Sequence, residues 1–322
     1  MPVEHAFATP DDAAIARLAT PSTKVAGGFC EGLPPMPVPT AAERQARWRF
    51  PWITAVTTGF VILVLLAFLV PAVQKVRDAA ARTQSTKNLK SIAPAAYGFY
   101  DANKRLPFNG TKPAVDGDNT SGSWAFMLLP YLDEKAMYDN VDRTRGLPGL
   151  LCQGRGRPMM CTDDARPGAW SDYCINPFLN SNIGQADGRD KGRTLVGITD
   201  GSSNTIFAGH GRLQPAHYAK DQADFGFTGT IFNGGSEGTC RGNPNVLMAR
   251  DGNDAKPGEW GGPFSQGCLM AMADGTVRLF PYTLADGHID YGGSGYPFSS
   301  VAVFLTPSGG ETSLLCGDKN GD

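Results

Sequence analysis

Residues 52–70 read WITAVTTGFVILVLLAFLV, nineteen positions without a charge. A helix rises ~1.5 Å per residue, so this run just crosses a hydrocarbon layer of ~30 Å. A membrane span is therefore expected; the bland alternative is a core helix, but uncharged runs of this length are rare in soluble cores. Trp48 and Trp52 stand where an interfacial aromatic belt belongs. Residues 1–50 are a different kind of chain. They contain PSTKVAGGFCEGLPPMPVPT, rich in Pro, Gly and Ala and without an apolar period. Such a stretch cannot bury enough surface to offset its ordering entropy, so a disordered tail is expected. No apolar core lies near Met1, which sets the tail apart from a standard signal peptide.

Pro71 falls at the expected exit from the lipid, and helical periodicity then resumes. Val73, Val76, Ala80, Thr83, and later Leu89, Ile92, Ala96 and Tyr100, recur at steps of three, four or their multiples. Lys75, Arg77, Asp78, Arg82 and Lys90 fall largely on other faces. The pattern predicts one continuous helix from Trp52 to about Asn103, with Pro94 kinking it or ending its first part. Val73, Val76 and Ala80 form a packing stripe for a partner. The expected organisation is a tail over 1–50, a transmembrane helix over 51–71, an amphipathic stalk over 72–105 and an α+β head over 106–322.

Charge and cysteine usage bear on partners and compartment. A net charge of −2 argues against nucleic acid, which needs a basic face. Arg44, Arg47 and Arg49 precede the span, whereas Lys75, Arg77, Arg82, Lys87 and Lys90 follow it. By that count alone the C-terminal side is cytoplasmic. The cysteines point the other way. Cys152, Cys161, Cys174, Cys240, Cys268 and Cys316 form an even set after the span, as disulfides in an oxidising compartment would. Buried free thiols are the alternative, and fifteen pairings stay open. Their spacing does not suit a metal site.

The head reads as short strands and many turns, in keeping with 40 glycines and 24 prolines. CLMAMADGTVRLF is two short runs around Asp274-Gly275, a pair that favours the type I′ turn of a two-residue hairpin. TLVGITDGSSNTIFAGHG repeats the design, with strands over 195–198 and 205–208 and a turn at Asp200-Gly201. Residues 224–233 suit a third strand. Residues 124–138 have helical spacing, with Phe126, Leu129, Leu132 and Met137 as expected core. The sum is a long helix packed on an antiparallel sheet with large loops.

Few residues suggest chemistry. Gly234-Gly235-Ser236-Glu237-Gly238 matches the nucleophile-elbow string, but the Gly- and Pro-bearing residues after it are a poor helix start. His210 and His217 are separated by glycines and a proline that break any shared helix. His288 is expected in a surface turn. Asp318, Asn320 and Asp322 follow the first three ligand positions of a calcium loop that stops before its closing Glu. Calcium is thus the one cofactor the sequence raises, and no reaction is implied.

Several blocks together carry a resemblance. LVPAVQKVRDAAARTQSTKNLKSIAPAAYGFYDANKRLPFNG is similar to the start of a bacterial family called domain of unknown function 1559, whose members resemble type IV pilins and type II secretion pseudopilins. Pro71-Ala72-Val73-Gln74, Asn88-Leu89-Lys90, Tyr100-Asp101 and Leu106-Pro107 hold matching places. Further blocks follow in order: SWAFMLLPYLDEKAMYD, Cys161 to Asp164, GITDGSSNTIFAGHG, MADGTVRLF and FLTPSGGE. The chain departs from the family at Val64, where pilins carry a Glu used in assembly, and at Phe264, where the family has a His. Gly59 lies inside the apolar run rather than at its edge, so a permanent signal anchor is expected instead of a cleaved leader. The resemblance implies a single-pass protein of the cytoplasmic membrane, N-terminus inside and head outside. Its expected partners are the lipid bilayer and itself or other pilin-like chains. The alternative is a tethered binding module whose loops over 225–263 hold a glycan or a peptide.

Overall fold

The computed structural model describes residues 52–162, 167–180, 192–219, 227–242, 248–286, 288–290 and 297–308. The chain divides between Val64 and Leu65 into two units. Helix α1, Trp52–Asn103, has 52 residues and continues through both Pro71 and Pro94. Lys104, at φ 56°, closes it by donating its N–H to the Tyr100 carbonyl at 2.7 Å. In the first unit the described part of α1 is exposed except at Val64, which is half-buried.

The second unit carries an α+β head. Its strands are β1 Met160–Cys161, β2 Gly168–Ser171, β3 Tyr173–Ile175, β4 Ile206–His210, β5 Gly229–Thr230, β6 Cys268–Met272, β7 Val277–Phe280, β8 His288–Asp290 and β9 Pro297–Ser299. They form a three-stranded sheet β1-β2-β5, a four-stranded sheet β3-β4-β6-β7 and a pair β8-β9, with every pairing antiparallel. His288, expected in a turn, stands on β8 opposite Ser299.

The four-stranded sheet has apolar neighbours on both faces, and β6 shows why. Leu269 and Ala271 join the cluster that holds Leu89, Ile92, Trp124 and Phe232 on the α1 side. Cys268, Met270 and Met272 join Trp260, Val301, Phe304 and Leu305 on the other. Successive side chains alternate across a strand, so a strand covered on both sides must be apolar at every position. CLMAM meets that requirement.

The hairpin at Asp274-Gly275 forms, with a different turn. Gly275 N–H donates to Met272 O at 3.0 Å, and only Gly275 has positive φ, at 85°. The connection is the three-residue kind with a left-handed glycine, not the two-residue type I′ turn. Asp274 Oδ1 accepts from the backbone and hydroxyl of Thr276 and so ties the turn together. Residues 195–197, expected as a strand, are a 3-10 turn, Leu195–Gly197. Only Ile198 of that run is buried, and Val196 is 86% exposed, so no face exists for a strand to cover. Of the expected strand at 224–233, residues 224–226 lie outside the described residues, and the rest holds only β5. Residues 124–138 break into helix α2, Trp124–Met127, a 3-10 turn, Leu129–Tyr131, and helix α3, Lys135–Asn140, because Pro130 and the positive φ of Asp133 interrupt them.

Helix α1 docks on this head through its C-terminal half. Its buried face runs through Ala81, Ser85, Asn88, Leu89, Ile92, Ala96 and Phe99. Ser85 and Asn88 are polar, yet both are bonded. The Ser85 hydroxyl reaches Cys152 Sγ at 3.3 Å, and Asn88 Nδ2 donates to Leu151 O at 3.0 Å. Tyr97 Oη donates to Ala273 O at 2.6 Å. Gly98 lets the Tyr131 ring approach; a Cβ there would sit 2.7 Å from it.

This geometry corrects the single stripe. The six residues from Thr83 to Leu89 turn the helix by roughly 240° net, at ~100° per residue. Val73, Val76, Ala80 and Thr83 therefore form one stripe, and Leu89, Ile92, Ala96 and Tyr100 another on nearly the opposite side. Only the second meets the head. Val73 and Val76 are 41% and 68% exposed, and Ala80 and Thr83 are exposed as well.

Candidate functional site

Two features of the second unit stand out: the uncovered stripe of α1, and a cleft beside it. Lys75, Asp78, Ala79 and Arg82 share one helical face at spacings of three and four. They form a wall of a cleft of about 640 Å³. Opposite stand the turns bearing Pro215 and Tyr218, Arg250 and Asp251, and Pro263 and Phe264. The ion pairs of the described residues engage none of Lys75, Asp78, Arg82 and Arg250. Arg250 is tied only through its Nε, which donates to Pro263 O at 3.0 Å.

Behind the cleft lies a buried ionic cluster. Asp172 is the single residue between β2 and β3, so it sits where the chain passes from one sheet to the other. Its Oδ1 receives Arg157 at 2.8 Å and Arg155 at 3.1 Å, and its Oδ2 accepts from Cys152 N at 2.8 Å. Arg155 continues to Asp251 at 2.9 Å, and Tyr218 Oη donates to the same carboxylate at 2.5 Å. Burial disfavours both charges, but the ions outweigh it. Asp251 and Asp172 raise the Arg155 pKa, and Arg155 and Arg157 hold the Asp172 carboxyl below its ordinary value. Arg157 also lies over the Trp170 ring at 4.7 Å. Sequence reading missed this cluster. Its only trace is a pair of arginines in CQGRGRP and one acid in the apolar run GAWSDYCI.

His210 ends β4 inside the same region, fully buried. Its Nδ1 lies 3.2 Å from Leu269 O and must donate there, which leaves Nε2 as a buried acceptor without a donor. Burial, then the Arg155 charge, push its pKa down to about 4. Phe264, at the place where the resembled family has a His, packs edge-on to the His210 ring at 5.8 Å and lines the cleft. The sign of the pH effect follows. Below about pH 6.5 the unfolded chain takes up a proton that folded His210 refuses until about pH 4. Acidification across that window favours unfolding by on the order of 3 kcal/mol. Asp172, with its lowered pKa, adds stability that is lost as pH falls through its folded value. The urea midpoint is expected to drop between pH 7 and pH 4.5, and His210→Gln to flatten the part above pH 4. A midpoint in the parent chain that stays level over this range would contradict the assignment.

The other expected residues fall as follows. Cys152, Cys174, Cys240 and Cys268 are buried free thiols, which corrects the disulfide reading at those four positions; Cys161 is buried as well, and Cys316 lies outside the described residues. Each of three thiols is enclosed against a main-chain oxygen: Cys174 with Gly238 at 3.7 Å, Cys240 with Ser236 at 3.6 Å and Cys268 with His210 at 3.7 Å. Burial lifts the Cys152 thiol to about 11 and the Cys240 thiol to about 12, so neither offers a reactive thiolate. Such thiols survive in oxidising and reducing compartments alike, so they carry no argument about location. Asp318, Asn320 and Asp322 lie outside the described residues, among which no cluster of His, Cys, Asp and Glu suits a metal. Asp118, in a second acidic loop, is engaged by Lys112 Nζ at 2.5 Å. Ser236 caps a 3-10 turn, Glu237–Thr239, by accepting from Gly238 N at 3.1 Å, and no helix follows it as an elbow requires. His217 is buried in a 3-10 turn, Pro215–His217, apart from the strand of His210.

The exposed half of α1 completes the picture. It is one helix long and apolar enough to span a membrane, and none of its most apolar window is buried. Contiguous exposed apolar surface on this scale is consistent with a single membrane span. Residues 74–149 match the model of a family described as a protein of unknown function (DUF1559). The later blocks of resemblance lie outside that match. No curated protein matches the chain, and no solved structure does.

Proposed function

We propose, with the DUF1559 match over residues 74–149 as premise, that the chain is a membrane-anchored, pilin-like structural or assembly protein without enzymatic activity. Its N-terminus is cytoplasmic and its head extracytoplasmic. The observation that carries the reading is the pair of opposed stripes on α1. One stripe is committed to the head. The other, Val73, Val76 and Ala80, follows directly on the apolar segment and remains exposed. A helix packed on one side and apolar on the other is suited to pair laterally with a second copy or a similar chain.

The test is Val73→Glu, Val76→Glu and Ala80→Glu combined in the full chain, solubilised in mild detergent. Sedimentation equilibrium is expected to show self-association weakened at least about tenfold, from loss of roughly 1.5–3 kcal/mol per buried valine. Tryptophan fluorescence of the head should not change, because none of the three residues touches it. Unchanged association in a folded variant would leave α1 as a tether and remove the assembly reading.

A further inference from the structure

We infer that the cleft between α1 and the 215–218, 250–251 and 263–266 turns is a binding site for a phosphate-bearing ligand. The inference goes beyond anchoring and assembly, and only its lipid-headgroup arm rests on the membrane anchor. Three cations, Lys75, Arg82 and Arg250, reach its lining without a carboxylate partner among the described residues. Two acids share the space. Asp251 is already neutralised: its oxygens receive Arg155, Tyr218 Oη and Leu213 N. Asp78 remains, so the lining keeps a net positive charge. Pro215, Pro263 and Phe264 supply an apolar wall. Guanidinium groups match phosphate oxygens with parallel donors, and a lysine adds a mobile point charge. Arg250 is held by the bond from its Nε to Pro263 O, and among the described residues no hydrogen bond is seen at its terminal nitrogens.

The position of the cleft along α1 narrows the source. Lys75 lies five residues past Val70, a rise of about 7.5 Å. That is the depth of the headgroup layer, roughly 5–8 Å on each side of the hydrocarbon. Arg82 stands about 10 Å further along. A glycerophospholipid headgroup entering at Lys75, or a soluble phosphate ester, would meet the same donors.

The experiment is calorimetric titration of the full chain in a neutral detergent with three probes: inorganic phosphate, glycerol phosphate and short-chain phosphatidylglycerol below its micellar concentration. Binding is expected to weaken about tenfold in Arg82→Gln and again in Arg250→Gln, as for loss of one charge-assisted hydrogen bond each. It should also weaken with added salt. Lys87→Gln, an exposed cation on α1 outside the cleft, is expected to leave affinity unchanged. Binding of phosphatidylglycerol alone assigns a lipid headgroup, and binding of glycerol phosphate or phosphate assigns a soluble source. No binding by any probe, or binding indifferent to both arginine variants, overturns the inference. Because the titration is done on the solubilised chain, a failure of self-association would not affect it.

Discussion

Arg155→Met is expected to destabilise the head by about 3–5 kcal/mol, a large share of the roughly 5–15 kcal/mol that holds a domain folded. Arg155 has no exposed side-chain surface, and neither Asp172 nor Asp251 has more than 2%. Removing the guanidinium strands two carboxylates in a poorly solvated space and also leaves Gly211 O, which it bonds at 2.5 Å, without that donor. A buried pair adds little net stability when whole, since desolvation offsets its attraction, but half of one is costly. Arg155→Lys should fall between the two, because an ammonium keeps the charge without the fork that reaches both acids. The measurement is urea unfolding of the full chain in detergent, followed by the buried Trp124, Trp170 and Trp260. A cost under about 1 kcal/mol would mean that the two acids find other partners or protonate. The same cluster ties Asp172, between the two sheets, to the loop of Asp251 that rims the cleft. Its loss is therefore expected to disorder the cleft before the helix.

Phe60→Arg combined with Leu63→Arg is expected to release the chain from the membrane. Each arginine at the centre of a span costs about 2.5–3.5 kcal/mol, and the apolar contribution it replaces is lost as well. Both parent residues are exposed, at 66% and 65%, so the head should keep its urea midpoint. Alkaline extraction of membranes reads the outcome: the parent chain stays in the pellet and the double variant moves to the supernatant. A variant retained in the pellet would show that something other than this helix holds the chain there. Protease added to sealed spheroplasts then decides orientation. Loss of the head fits the proposed topology, whereas a protected head and a shaved N-terminus would reverse it.

The amino-acid order alone settled what depends on near neighbours. Nineteen uncharged residues specify a helix that water cannot solvate, and the helix does run from Trp52 to Asn103. Proline at 71 and 94 did not end it, since one lost backbone bond is a small fraction of a helix this long and Pro94 faces outward. Asp274-Gly275 marked its hairpin because glycine at positive φ is a local demand. The class, α+β with antiparallel sheets, followed from such local marks.

What only the tertiary structure decided depends on partners far along the chain. Arg155 meets acids 17 and 96 positions away, and nothing near it in sequence announces them. Cys174, Cys240 and Cys268, counted in the sequence toward an even set, are instead each enclosed against a main-chain oxygen. Steps of three and four looked like one stripe on α1, but the six-residue step after Thr83 carries the pattern to the other side. Ser85 and Asn88, too polar to be marked as core, are buried because Cys152 and Leu151 offer them hydrogen bonds. Periodicity reports which residues share a face. It cannot report which faces are covered, because burial belongs to the surface that arrives from elsewhere.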